Sequence, residues 1–253
     1  RTTRKQSLTE AGLAFFARCS TALHELEAAE RSVSALQAEP RGTLRLNAPM
    51  SFGACHIAAA IAAYTERHPQ VRVEMVLNDR LVDLVEEGYD LAIRIGRLSD
   101  SSLIARRLAP CRLMLCASPQ YLARHGVPRR PADLTQHNCL LYSYSADRNQ
   151  WSFRAGTAEE TVKISGNLIA NNGDAVVTAA LAGQGIVLQP TFIVGDALRA
   201  GALVRVLPSH EVPDLDIHAV YPHPRNLSLK VRSFVDLLIE RYGSRPAWDE
   251  GIS

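Results

Sequence analysis

Residues 43–53 read TLRLNAPMSFG. Residues 43–48 read as a short strand, Pro49 interrupts it, and Ser51 opens a helix predicted to run to about His68. A strand that turns straight into a helix is half of a βα unit, and the pattern recurs downstream. VRVEMVL (71–77) alternates, with Val71, Val73, Met75 and Leu77 on one face of a strand. RLVDLVEEG (80–88) reads as a short helix closed by Gly88, and DLAIRIG (90–96) as a strand. RLMLCAS (112–118) is a further strand, and PQYLARHG (119–126) a helix with Pro at its start and Gly at its stop.

The second half continues in the same way. CLLYSYS (139–145), WSFRA (151–155) and TVKISGNLIA (161–170) read as strands. GDAVVTAALAG (173–183) is an Ala-rich helix, GIVLQP (185–190) a buried strand and TFIVGDALRAG (191–201) a helix. ALVRVLP (202–208) and LDIHAVYP (215–222) are strands, and a last helix covers residues 227–242. The tail SRPAWDEGIS has no period and is expected to be mobile. Alternating β and α segments predict an α/β fold with a mostly parallel sheet covered on both faces. At 253 residues the chain exceeds one ordinary core, so two lobes are expected.

The N-terminal stretch follows a different rule. In RTTRKQSLTEAG (1–12), Ser7 and Glu10 form a capping box, with Thr9 as the rival cap. A long helix is predicted over residues 10–37. Its apolar stripe is Phe16, Cys19, Leu23, Leu26 and Val33, a heptad seam interrupted by Glu30. A helix of about 28 residues spans about 42 Å and needs a partner along that stripe. The seam predicts a dimerising arm, with an amphipathic helix lying on its own domain as the alternative. EPRG (39–42) ends it.

Bulk properties exclude several classes. Net charge is +2, too small to mark the whole chain as a nucleic-acid binder. Basic residues exceed acidic ones only at the extreme N-terminus, where Arg1, Arg4 and Lys5 cluster. No apolar run is long enough for a membrane span, and no secretory leader pattern is seen. Five Cys without a regular framework predict free thiols in a reducing cytoplasm. Catalytic signatures are lacking: there is no G-x-S-x-G elbow, no H-E-x-x-H and no Cys/His zinc pattern. Gly183-Gln-Gly185 lacks the third Gly of a dinucleotide loop and lies on the wrong side of its helix, so it reads as a helix stop. No metal, cofactor or catalytic residue is expected.

Taken together, RTTRKQSLTEAG, the heptad helix and LRLNAPMSFG (44–53) resemble the LysR-type transcriptional regulators. Residues 79–110, 115–140 and 171–190 resemble the two lobes of that family's effector domain. The resemblance implies a two-lobed, periplasmic-binding-protein-like effector domain preceded by a long dimerisation helix. It implies a wing remnant at residues 1–9, a linker helix at 10–38, lobe I at 42–114 and 215–243, lobe II at 115–214 and a tail at 244–253. Arg1, Arg4 and Lys5 would then be wing residues touching DNA phosphate, or a solvated basic end without a role. The helices that read DNA would precede this chain, leaving weak or absent DNA binding here. A homodimer or homotetramer and a cytoplasmic location are implied, with operator DNA as partner of the full-length protein.

A two-lobed domain binds its ligand between the lobes, at strand ends and helix starts. Four stretches fit. PMSFG places Met50, Ser51 and Phe52 at a helix start, where a hydroxyl and free N–H groups hold an anion, or where Ser51 merely caps its helix. NDR places Asn78 and Arg80 at a strand end, with a salt bridge from Arg80 to Asp83 as the alternative. Arg94 lies within a strand and could pair with an anionic ligand. NNGD and LQP bring Asn171 and Gln189 from the second lobe, although Asn-Gly also makes ordinary turns. The expected effector is a small, anionic organic molecule. The rival reading is a periplasmic-type solute-binding protein, and an enzyme on the same fold stands third. A redox switch through Cys111, Cys116 and Cys139 does not match the family's pair of Cys within the second lobe.

Overall fold

A computed structural model of the chain describes Gly12 and residues 39–96, 103–145, 149–156, 158–222 and 227–252. The expectations for Arg1, Arg4 and Lys5, and for the seam Phe16, Cys19, Leu23, Leu26 and Val33, lie outside the described residues.

In chain order the described strands are β1 (Gly42–Ala48), β2 (Val71–Leu77), β3 (Leu91–Ile95), β4 (Ile104–Cys111), β5 (Leu113–Ala117) and β6 (Cys139–Tyr142). Then come β7 (Gln150–Ala155), β8 (Ala158–Lys163), β9 (Ile169–Ala170), β10 (Ile186–Pro190), β11 (Val204–Arg205) and β12 (Leu215–Tyr221). The first helix, α1, opens as Met50–Phe52, passes through a π-helical stretch Gly53–Ile57 and continues as Ala58–Arg67. It is followed by α2 (Pro119–His125), α3 (Gly173–Leu181), α4 (Thr191–Arg199) and α5 (Leu229–Tyr242).

The strands form two sheets and a hairpin. The first sheet runs β2-β1-β3-β12-β4 and the second β11-β5-β10-β6-β9. In the first, β1 pairs parallel with β2, Leu44 beside Val73 and Leu46 beside Met75. In the second, β10 runs parallel to β6 and antiparallel to β5. The chain leaves the first sheet between β4 and β5 and returns to it between β11 and β12. Two crossings of this kind are what join two lobes.

Each lobe has its own core. Leu44, Leu46 and Ala48 of β1 are fully buried and meet Phe52, Ile57, Tyr64 and Phe234 from α1 and α5. Leu115, Leu134, Trp151 and Phe153 form a core in the second lobe, on one face of its sheet. Val176, Val177, Val187 and Val194 form another, beneath α3 and α4. Gly53 allows α1 to descend onto β2: a Cβ there would lie 2.2 Å from Leu77 Cδ2.

Several local readings are revised. Residues 80–88 form a turn, not a helix. Asp83 Oδ1 takes the N–H groups of Val85 and Glu86, and only Leu84 of the apolar residues reaches deep cover, while Leu81 and Val85 stay exposed. With one buried anchor the segment has no apolar stripe to hold a helix against the sheet. The strand β4, which contains Pro110, is an addition to the sequence reading. The run 161–170 splits at Gly166, which lies against the Cys139 carbonyl where no side chain fits. The tail is ordered by Trp248, only 8% exposed, whose ring packs against Phe52, His56 and Tyr242.

Candidate functional site

The lobes meet where the start of α1 faces the start of α3. Pro49 cannot donate a backbone hydrogen bond, and the first helical N–H groups have no partner within the helix. Asp79 supplies one from outside: the Met50 N–H donates to Asp79 Oδ1 at 2.8 Å. Ser51 is 6% exposed, and its hydroxyl donates to Asp174 Oδ2 at 2.7 Å. Asp174 lies in the first turn of α3, where a carboxylate is favoured by the helix dipole. Asn172 caps α3 by accepting the Ala175 N–H through Oδ1, and its Nδ2 lies 3.8 Å from Met50 Sδ.

Gly173 is what lets these ends approach. A Cβ at that position would lie 2.9 Å from Gln189 Oε1, 2.7 Å from Ile193 Cδ1 and 3.7 Å from Ser51 Oγ. Ser51 and Gln189, from different lobes, therefore converge on one glycine. Gln189 is 3% exposed, at the end of β10. Asn171 is exposed, and the neighbouring Asn172 is the residue that reaches the first lobe.

Behind Ser51 lies a polar floor. Asn47 is fully buried at the end of β1, donates through Nδ2 to the Val76 carbonyl and accepts from Arg94 Nη1 at 2.7 Å. Burial lowers the Arg94 guanidinium from its ordinary value, and the Glu87 carboxylate opposes that effect. Asn78 anchors through its N–H to the Ala48 carbonyl, while its side-chain Oδ1 is buried without a hydrogen-bond partner. Arg80 points away, in an exposed 2.8 Å pair with Glu87 and not with Asp83. Phe52 is fully buried with its ring in the aromatic core, so the main chain is what it can offer a ligand in the cleft.

A third approach between the lobes is that of Tyr142 of β6 to Asp79, whose carboxylate acts on its phenol. Burial pushes the Tyr142 phenol up, and the neighbouring Asp79 carboxylate adds to this. Asn47, Asp79, Tyr142, Asn172 and Asp174 were not singled out from the sequence. Three of them stand in or beside the quoted NDR and NNGD stretches, and position at a strand end or helix start was the available signal.

On the other flank of α1 a half-open cavity of about 590 Å³ is lined by His56, Phe192, Arg199, Arg241, Tyr242 and Trp248, among others. His56 Nε2, Tyr242 OH and Trp248 Nε1 are buried in its walls without hydrogen-bond partners. Three thiols are closed off: Cys111, Cys116 and Cys139 are fully buried, and burial pushes Cys116 and Cys139 up to about 12 and Cys111 higher, whereas Cys55 is free and exposed. Among the described residues no cluster of His, Cys, Asp and Glu could hold a metal ion, and no helix is long and apolar enough to cross a membrane.

This architecture has close counterparts. Residues 37–243 match the family model described as the LysR substrate binding domain. An HTH-type transcriptional regulator of Haemophilus influenzae is 38% identical over 231 residues, covering 91% of this chain and 80% of that protein. The HTH-type transcriptional regulator PtxR of Pseudomonas aeruginosa is 37% identical over 246 residues, covering 97% of this chain and 79% of that protein. Among solved structures, CrgA, a LysR-type transcriptional regulator from Neisseria meningitidis, aligns with a TM-score of 0.72 at 34% identity, covering 95% of this chain and 82% of that one.

Proposed function

The chain belongs to the LysR family of transcriptional regulators, and from that premise we propose that it takes a small, anionic organic effector between its lobes. The observation that carries this reading is the α1 start, where the Ser51 hydroxyl already holds a carboxylate, that of Asp174. Hydroxyl and helix-start N–H groups suit an anion, and the partly buried Arg94 behind them supplies a positive charge. Gln189 adds an amide from the second lobe, next to the same Gly173.

Effector binding would change the balance between lobe arrangements, since the contacts at Ser51, Met50 and Asp79 each cross between lobes. That change would pass through a homodimer or homotetramer to operator DNA held by the complete regulator in the cytoplasm. Arg1, Arg4 and Lys5 would contact DNA phosphate, and the 10–38 helix would pair through Phe16, Cys19, Leu23, Leu26 and Val33. The role is sensing, not catalysis. The similarity to transcriptional regulators disfavours a solute-binding protein.

Thermal unfolding against a panel of carboxylates, amino acids, aromatics and sugars tests the reading, because a ligand that selects the folded state raises stability. A concentration-dependent rise with one anionic class, lost in Ser51→Ala, is the expected result. An equal rise in Ser51→Ala would place the effector elsewhere.

A further inference from the structure

Asp174 is an unusual neighbour for an anion site. It brings a second-lobe carboxylate to the first-lobe hydroxyl, across 123 residues of sequence. Its partner Ser51 is nearly inaccessible, whereas Asp174 itself is exposed. Released from Ser51, the carboxylate would return to water at the start of α3, where the helix dipole still favours it. Exchanging one carboxylate for another on the same hydroxyl is therefore close to balanced, and the exchange leaves no buried charge unpaired.

We propose that Asp174 is an internal competitor for the effector: its carboxylate occupies Ser51 when the cleft is empty, and an anionic effector binds by displacing it. The inference rests on the reading of Ser51 as part of the effector site. It makes Asp174 a specificity-determining residue. A neutral acceptor makes a weaker hydrogen bond to Ser51 than a carboxylate does and competes poorly, and a weak anion is outcompeted because the tethered carboxylate is always at hand. It also makes Asp174 a tether between lobes, alongside the Asn172–Met50 and Tyr142–Asp79 contacts. A competitor that holds the site nine-tenths of the time weakens apparent affinity on the order of ten-fold.

The test uses the 253-residue chain with bioorthogonal spin labels at the exposed Glu66 and Arg124, one on each lobe. Acetate serves as the probe, the smallest organic carboxylate, and circular dichroism verifies that each variant is folded. In Asp174→Ala without acetate, the interlobe distance distribution should gain a longer component, because one tether is gone. Acetate should then shift that distribution at about one-tenth of the concentration needed by the unmodified protein. An unchanged distribution in Asp174→Ala, equal acetate midpoints, or no acetate response in either protein would each overturn the proposal. Ser51→Ala separates the two readings. If it answers acetate as the unmodified protein does, Ser51 is not the anion site. If it loses the response while Asp174→Ala shows no gain, only the competitor is ruled out.

Discussion

Arg94 and Asn47 form one unit beneath the cleft, joined at 2.7 Å between Nη1 and Oδ1 on adjacent parallel strands β3 and β1. Both occupy polar positions in the alternation of their strands, yet neither is left exposed. Asn47 is fully buried, and its remaining hydrogen bond runs to the Val76 carbonyl on β2. The pair thus ties three strands together where α1 begins.

Replacing Arg94 with Leu should leave Asn47 Oδ1 buried and unpaired. The cost should be about 1–3 kcal/mol, read as a lower urea midpoint at unchanged slope. Arg94→Lys should recover part of that stability, since an ammonium can still donate to Asn47. A stability loss under about 0.5 kcal/mol in Arg94→Leu would mean the pair is incidental.

Trp248 should behave as a core residue. Trp248→Ala removes a ring in contact with Phe52, His56 and Tyr242, and the expected loss is about 3–5 kcal/mol. Removing residues 244–253 should cost at least as much. A truncated chain that melts with the unmodified one would restore the view of the tail as a mobile appendage.

Stability should fall as the solution is acidified from neutrality. Burial, with Arg241 adding to it, lowers His56 below its ordinary 6.5, and burial also lowers His137 and His218. The unfolded chain takes up these protons near 6.5, while the folded chain resists them until lower pH. Between those points the unfolded state binds more protons, so stability drops with falling pH and levels off below the folded values. Each such histidine contributes at most about 1.4 kcal/mol per pH unit. His56→Phe should flatten the decline below the ordinary histidine value of 6.5. An identical decline in that variant would assign the effect to the other two.

Leu23→Asp combined with Leu26→Asp should reduce the oligomer mass measured by light scattering, because two charges would face the seam proposed for residues 10–37. An unchanged mass would show that other contacts hold the assembly.

Much of the fold was legible from local order. Strand alternation in VRVEMVL, the Pro and Gly that bracket α2, and the Ala-rich run of α3 each concern residues within a few positions of one another. The candidate site was legible in part for the same reason. Strand ends and helix starts can be located from the chain, and that drew attention to Ser51, Asn78 and Gln189. It could not show that Asp174 would meet Ser51, or that Tyr142 would meet Asp79, because nothing within either stretch refers to the other.

The chain's own order determined the succession of βα units, the helix start at Met50–Phe52 and the glycine at 173 that leaves room for its neighbours. Only the tertiary structure decided that residues 80–88 would be a turn, that Trp248 would enter the first core, and that Asp174 would face Ser51. The physical reason is range. Periodicity and capping act over one or two turns of chain, whereas burial and cross-lobe pairing depend on which surfaces the two crossings bring together.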